Sequence, residues 1–103
     1  VKGMPNLPDA LVCANDFLAL NVMAALKHLG VSIPEQVMVS GFDGTPQSAI
    51  VAPSLPTAQI PSSEIGRLAA ALLLARITNP DSPLQRVYVE TTPVLRESTA
   101  KRQ

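Results

Sequence analysis

The residues able to do chemistry in this chain are few, and they cluster behind apolar runs. Asn15 and Asp16 directly follow Ala10-Leu11-Val12-Cys13-Ala14, and Asp43 lies in Gly41-Phe42-Asp43-Gly44-Thr45-Pro46 behind Val37-Met38-Val39. A carboxamide both donates and accepts hydrogen bonds, whereas a carboxylate only accepts, so these groups brought together would hold a compact polar ligand. Gly41 and Gly44 flank Phe42-Asp43 and would let backbone approach such a ligand. The same residues have a purely local reading: Asn15 or Asp16 caps a helix, and Asp43 closes a turn through backbone bonds. The spacing leaves both readings open.

Catalytic readings find little support. His28 is the only histidine, and it falls near a helix C-terminus, where a solvated helix end is its ordinary role. No Ser or Cys nucleophile is tied to it by motif. Cys13 sits inside an apolar run, where thiols are usually inert packing residues. There is no Walker A loop, no GxGxxG and no metal-ligand spacing. A hydrolytic pair made of Asp16 and Asp43 would need separated pKa values, which spacing alone does not establish. The chain reads as a binding module without enzymatic activity, cofactor or metal.

Composition narrows the class further. A length of 103 residues is about one domain, which excludes a large multidomain enzyme within this chain. Eight Lys and Arg balance eight Asp and Glu, and the basic residues form no dense block, so these residues alone should not grip nucleic acid. The longest apolar run, Leu68 to Ala75, falls far short of the roughly 20 residues of a membrane-spanning helix. The N-terminus lacks the charged-then-apolar order of a secretory signal and has no initiator Met, so the chain reads as a piece of something longer. A lone cysteine excludes an internal disulfide and fits a reducing, cytoplasmic setting.

Positioning these residues requires particular elements. The run Asp9 to Ala14 is short and continuously apolar, as expected of a strand covered on both faces. Asn15 or Asp16 then begins a helix that runs to Leu29, with Lys27 and His28 in its last turn and Gly30 where a left-handed C-cap belongs. At about 100° per residue, Leu18, Val22, Ala25, Leu26 and Leu29 form the stripe expected to face a sheet. Leu20 and Met23 fall on the opposite side, which points to a second buried contact or a subunit interface. Val37 to Phe42 is a second strand, and a helix between two such strands makes a parallel βαβ unit, so the fold class is α/β with a parallel sheet.

Downstream, Pro53, Pro56 and Pro61 prevent a long helix, although Gln47 to Val51 can form one or two turns and Thr57 to Ile60 a short extended segment. Ser62 or Ser63 is expected to cap a helix from Glu64 to Ile77, ended by Asn79-Pro80. That helix is apolar nearly all round, more than one covering layer would bury. Arg86 to Glu90 and Pro93 to Arg96 are short strand candidates, and Glu97 to Gln103 is expected to fray.

Several segments in order carry a resemblance: Pro8 to Asp16 with Ala19-Leu20, Gly30 to Val37, Gly41-Phe42-Asp43-Gly44, Pro53 to Thr57, Pro61 with Glu64-Ile65-Gly66, Ala69 to Ile77, and Thr92 to Thr99. Together they resemble the C-terminal part of the sensor domain of LacI/GalR-family transcriptional regulators. The resemblance implies a Rossmann-like architecture of periplasmic-binding-protein type I, with two subdomains around an effector cleft. It implies that residues 1–58 belong to the C-terminal subdomain, residues 59–91 to the N-terminal one, and residues 92–103 return to the first. Missing neighbours would then explain a helix apolar on every side.

The same resemblance implies effector contacts at Asn15, Asp16 and Asp43, for a sugar-like or nucleobase-like ligand, and homodimer contacts at Leu20, Met23, Ile50 and Val51. Operator DNA would be bound only through a helix-turn-helix head outside these residues, under allosteric control by the effector. Three positions depart from the family pattern: Ser40 replaces an aliphatic residue, Gly44 stands where a second Asp is frequent, and Ile60 stands where Gln is frequent. Periplasmic sugar-binding proteins of transporters share the fold and part of the motif around Asp43, and they form the alternative reading.

Overall fold

The computed structural model describes residues 6–100. In chain order the elements are β1 (Ala10–Val12), α1 (Asp16–His28), β2 (Met38–Ser40), α2 (Pro46–Ile50), β3 (Thr57–Gln59), α3 (Ser62–Thr78), β4 (Thr92–Val94) and a 3-10 turn, Glu97–Thr99. They fall into two compact units: the residues up to Gln59 with those from Thr92 onward, and Ile60–Thr91.

The first unit is built on the parallel βαβ arrangement expected from the apolar runs. β1 pairs with β2 in the register Ala10↔Met38, Leu11↔Val39, Val12↔Ser40. Two bonds extend that ladder: Met38 N–H donates to Asp9 C=O at 2.9 Å and Cys13 N–H to Ser40 C=O at 2.9 Å. Beyond the end of β2, Gly41 N–H donates to Pro56 C=O at 2.9 Å and Asp43 N–H to Ala58 C=O at 3.2 Å, and Asp43 forms a parallel bridge with Gln59. β3 pairs antiparallel with β4, Thr57 opposite Val94. The chain therefore brings the turn after β2 alongside β3, although no local signal near residue 43 encodes that neighbour.

Both ends of α1 follow local rules. The Asn15 side chain accepts the Leu18 N–H at 2.8 Å, satisfying one of the donors a helix start leaves open. At the other end Gly30 takes φ 77°, Gly30 N–H donates to Lys27 C=O and Val31 N–H to Leu26 C=O, the paired bonds of a Schellman stop. Val31 and Leu26 pack on the same apolar cluster, which supplies the hydrophobic contact such a stop usually carries.

The buried face of α1 corrects the predicted stripe. Asp16, Ala19, Met23 and Leu26 are buried, while Leu18 and Leu29 are 46% and 49% exposed. Only Leu26 belongs to both sets, and the helix is turned by roughly a quarter of a revolution from its apolar periodicity. The buried face follows instead the apolar i, i+4, i+7 row Ala19, Met23 and Leu26, in line with Asp16, whose carboxylate bonds to Thr45 and Thr57. Met23 is thereby placed in the core with Ile33, Val37, Val39 and Leu55, not on the outer face proposed for subunit contact. Leu20 and Val51 are half-buried against that core, and Ile50 is 80% exposed.

The segment from Glu97 does not fray within the described residues. Ser98 is buried and its N–H donates to Ser54 C=O at 2.8 Å, while Glu97 Oε1 accepts from the Ser54 hydroxyl at 3.0 Å. Arg96 Nη1 reaches Ser48 Oγ at 2.6 Å and Leu55 C=O at 2.9 Å. These bonds staple the segment after β4 to α2 and to the proline-bounded loop after it, a long-range tie that local composition does not announce. The remainder of the expected tail, residues 101–103, lies outside the described residues.

In the second unit α3 spans Ser62–Thr78 and buries none of its residues. Leu73, Leu74 and Ile77 are each at least 60% exposed. Pro61 occupies its N-cap position and no side chain caps it; the Ser62 hydroxyl turns back to Ile60 C=O at 3.4 Å, so the expected serine cap is absent. Arg86 to Glu90, predicted as a strand, forms none, because no neighbouring strand in this unit offers it a ladder. Among the described residues no helix is long and apolar enough to cross a membrane.

Candidate ligand-binding site

The turn Gly41 to Thr45 is shaped from behind by one fully buried carboxylate. Asp16 N–H donates to Phe42 C=O at 2.8 Å. Asp16 Oδ2 accepts from Thr45 N–H at 2.8 Å and from the Thr45 hydroxyl at 2.9 Å, and Oδ1 accepts from the Thr57 hydroxyl at 2.8 Å. Thr57 Oγ1 in turn accepts Gly44 N–H at 3.0 Å. The first residue of α1, the turn after β2 and the start of β3 thus share one hydrogen-bonded knot. A buried carboxylate is costly unless its lone pairs are met, and here three donors meet them.

Gly41 is the closest point of this approach. A Cβ there would stand 2.3 Å from Asp16 Oδ1 and 3.1 Å from both Asp16 Cα and Leu55 Cδ2, so a larger residue would push the carboxylate off its donors. Asp16 was expected among the effector contacts, yet its oxygens are bonded inside the protein and it has no exposed surface. Its action on the site is to hold the turn.

Asp43 differs in every respect. It is exposed, it adopts φ 129°, a conformation that L residues rarely hold, and its carboxylate takes no hydrogen bond from the described residues. Its backbone is tethered by the bond to Ala58 C=O, so the side chain is presented from a fixed base. Asn15 caps α1 through Oδ1 at the end of β1, which leaves its amide hydrogens uncommitted. Asn15 and Asp43 therefore stand at the ends of adjacent parallel strands, where open α/β sheets place their ligands. Cap and ligand contact, alternatives at the sequence level, are compatible at Asn15.

Sequence reasoning missed Thr45 and Thr57. The available signal was weak: a threonine beside Pro46 and another beside Pro56, each at the edge of a proline-bounded turn. Neither residue type identifies itself as a partner of Asp16, because the contacts span 29 and 41 residues. Burial raises the Cys13 thiol above its ordinary pKa, in keeping with a packing role. Among the described residues no cluster of His, Cys, Asp and Glu could hold a metal ion.

Residues 1–99 match the family model described as periplasmic binding protein-like domain, and the chain belongs to that family. Within it, the chain aligns with sensor regions of LacI/GalR-type regulators. It is 35% identical over 91 residues to the ribose operon repressor of Haemophilus influenzae, covering 88% of this chain and 27% of that protein. It is 38% identical over 90 residues to the transcriptional repressor PurR of the same species, covering 86% of this chain and 27% of the relative. A LacI family transcriptional regulator from Enterococcus faecium, solved with bound ribose, superposes with a TM-score of 0.82 at 30% identity, over 92% of this chain and 35% of that one. The chain thus spans about a quarter of the length of the curated relatives it matches.

Proposed function

We propose that this chain is the ligand-sensing part of a LacI/GalR-type transcriptional regulator and that it binds a small polar effector at the ends of β1 and β2. The observation that carries this reading is Asp43: an exposed carboxylate that takes no hydrogen bond from the described residues, held at an unusual φ on a tethered backbone. Its charge makes it a strong acceptor for ligand hydroxyl or N–H groups. Asn15 supplies amide donors beside it, and Asp16 keeps the turn in shape. That relatives are repressors and a structural neighbour carries ribose favours a regulator with a sugar-class effector over a transport protein.

In this reading the two compact units are parts of two sensor subdomains, divided near residues 58–59 and 91–92. The regulator acts without catalysis: an effector that binds two conformations of the sensor unequally shifts their populations, and DNA binding elsewhere in the protein follows. The regulator works in the cytoplasm as a homodimer, with Leu20, Ile50 and Val51 on the contacting surface. The direct test is calorimetric titration of the full-length regulator with D-ribose. Replacement of Asp43 by Asn is expected to weaken binding at least tenfold, about 1.4 kcal/mol; an unchanged affinity would dispose of the assignment.

A further inference from the structure

Gly44 and Gln59 share one space. Gly44 has φ 74°, and a Cβ built on it would lie 2.7 Å from Gln59 Cδ, 2.7 Å from Oε1 and 2.8 Å from Nε2. The Gln59 carboxamide therefore lies against the Gly44 backbone and fills the volume in which any side chain at position 44 would stand. Gln59 is exposed, and its carboxamide takes no hydrogen bond from the described residues. Its backbone is fixed on both sides, by the antiparallel pair with Thr92 and by the bridge to Asp43.

One residue away from Gly44 stands the Asp43 carboxylate, exposed and without a hydrogen bond from the described residues. The two side chains are chemically complementary: the carboxylate only accepts, and the carboxamide adds two donors and a further acceptor. A hydroxyl group both donates and accepts, so two neighbouring hydroxyls can be read together by such a pair, one donating to Asp43 and one accepting from Gln59. An acceptor alone cannot make that distinction. The Gly44 N–H is already committed to Thr57 Oγ1, so the turn backbone at that position adds no donor to those of Asn15 and Gln59.

We infer that Gln59 is a ligand-contacting, specificity-determining residue of this site, selecting a vicinal diol of a polyhydroxy ligand jointly with Asp43. The inference rests on the functional reading above, since it takes the surface around Asp43 as the effector site. The absence of a side chain at Gly44 is what admits the carboxamide, so residues 44 and 59 act as one specificity element.

The test is calorimetry on the full-length regulator with D-ribose, lactose and adenine as probes, comparing Gln59→Glu, Gln59→Ala and Asp43→Asn. Gln59→Glu keeps the size and removes both donors. The inference expects sugar binding by the parent protein and a loss of at least tenfold in both Gln59 variants at unchanged melting temperature. Full sugar affinity in the Gln59 variants beside a loss in Asp43→Asn overturns this inference and leaves the sensor reading standing. Unchanged affinity in Asp43→Asn sinks the sensor site itself and the inference with it. A parent protein that binds adenine alone, or none of the three probes, also overturns the assignment of a diol ligand. Should a Gln59 variant unfold, the side-chain amide resonances of Gln59 in the parent decide: displacement on sugar saturation supports contact, and no displacement overturns it.

Discussion

The hydroxyl of Thr57 donates to Asp16 Oδ1 at 2.8 Å across 41 residues of sequence, with both residues buried. That bond joins the start of α1 to β3, and the turn carrying Asp43 is held between them. Thr57 also accepts the Gly44 N–H, so one hydroxyl serves two partners in the knot.

Thr57→Val removes the hydroxyl at nearly constant volume, leaving Asp16 Oδ1 short of a donor and the Gly44 N–H without its acceptor. A buried polar group so orphaned costs about 1–3 kcal/mol. Urea unfolding should show that loss for Thr57→Val, and Thr57→Ser should recover most of it. Equal stability of the valine variant and the parent would contradict the role given to this bond.

Asn15 offers a separation of cap from ligand contact. Asn15→Ala should cost about 1 kcal/mol through loss of the Leu18 N–H bond. Asn15→Ser restores a capping oxygen but not the amide donors, so it should keep near-parent stability while weakening effector binding. Chemical denaturation and calorimetry on the same two variants read the two effects independently.

For the proposed dimer, Ile50 is the cleanest probe because it is 80% exposed and its replacement leaves the core intact. Ile50→Lys should shift sedimentation from dimer to monomer, and should lower the unfolding midpoint only by the concentration-dependent stabilisation that association supplies. Met23→Ala should do the reverse, destabilising the fold by roughly 2–5 kcal/mol as a buried large-to-small change. A monomer–dimer balance unaltered by Ile50→Lys would remove that residue from the interface.

Desolvation raises the Cys13 pKa, so the folded protein holds less thiolate at a given pH than a free thiol does. Alkylation by iodoacetamide at pH 8 should be slower than for free cysteine, and should accelerate as pH rises through the elevated pKa. Unfolding in urea should abolish the difference. Equal rates in the folded and unfolded protein would argue against burial as the cause.

Much of the local structure is legible from contiguous residues. Asn15 and Gly30 mark the two ends of α1, Pro46 begins α2, and the apolar runs around Leu11 and Val39 form the parallel pair. Asp43 stands out in the sequence as a carboxylate between two glycines, and the structure leaves its side chain exposed and without a hydrogen bond from the described residues. Less legible were residues whose role depends on a distant partner. Met23 reads as outward-facing by periodicity, yet is 1% exposed, and Arg86 to Glu90 has strand composition but no ladder to join.

By itself the sequence determined both ends of α1, the α/β class, and the family pattern that makes a sensor of small ligands the leading reading. These depend on neighbouring residues: capping groups, proline and glycine restrictions, and runs of apolar side chains. Tertiary structure decided which face of α1 is buried, that the Asp16 carboxylate is buried and bonded to Thr45 and Thr57, and that Gln59 takes the space left by Gly44. The physical reason is that a buried carboxylate must find donors wherever the folded chain brings them. For Asp16 those donors are Thr45 and Thr57, residues that no local pattern connects to it.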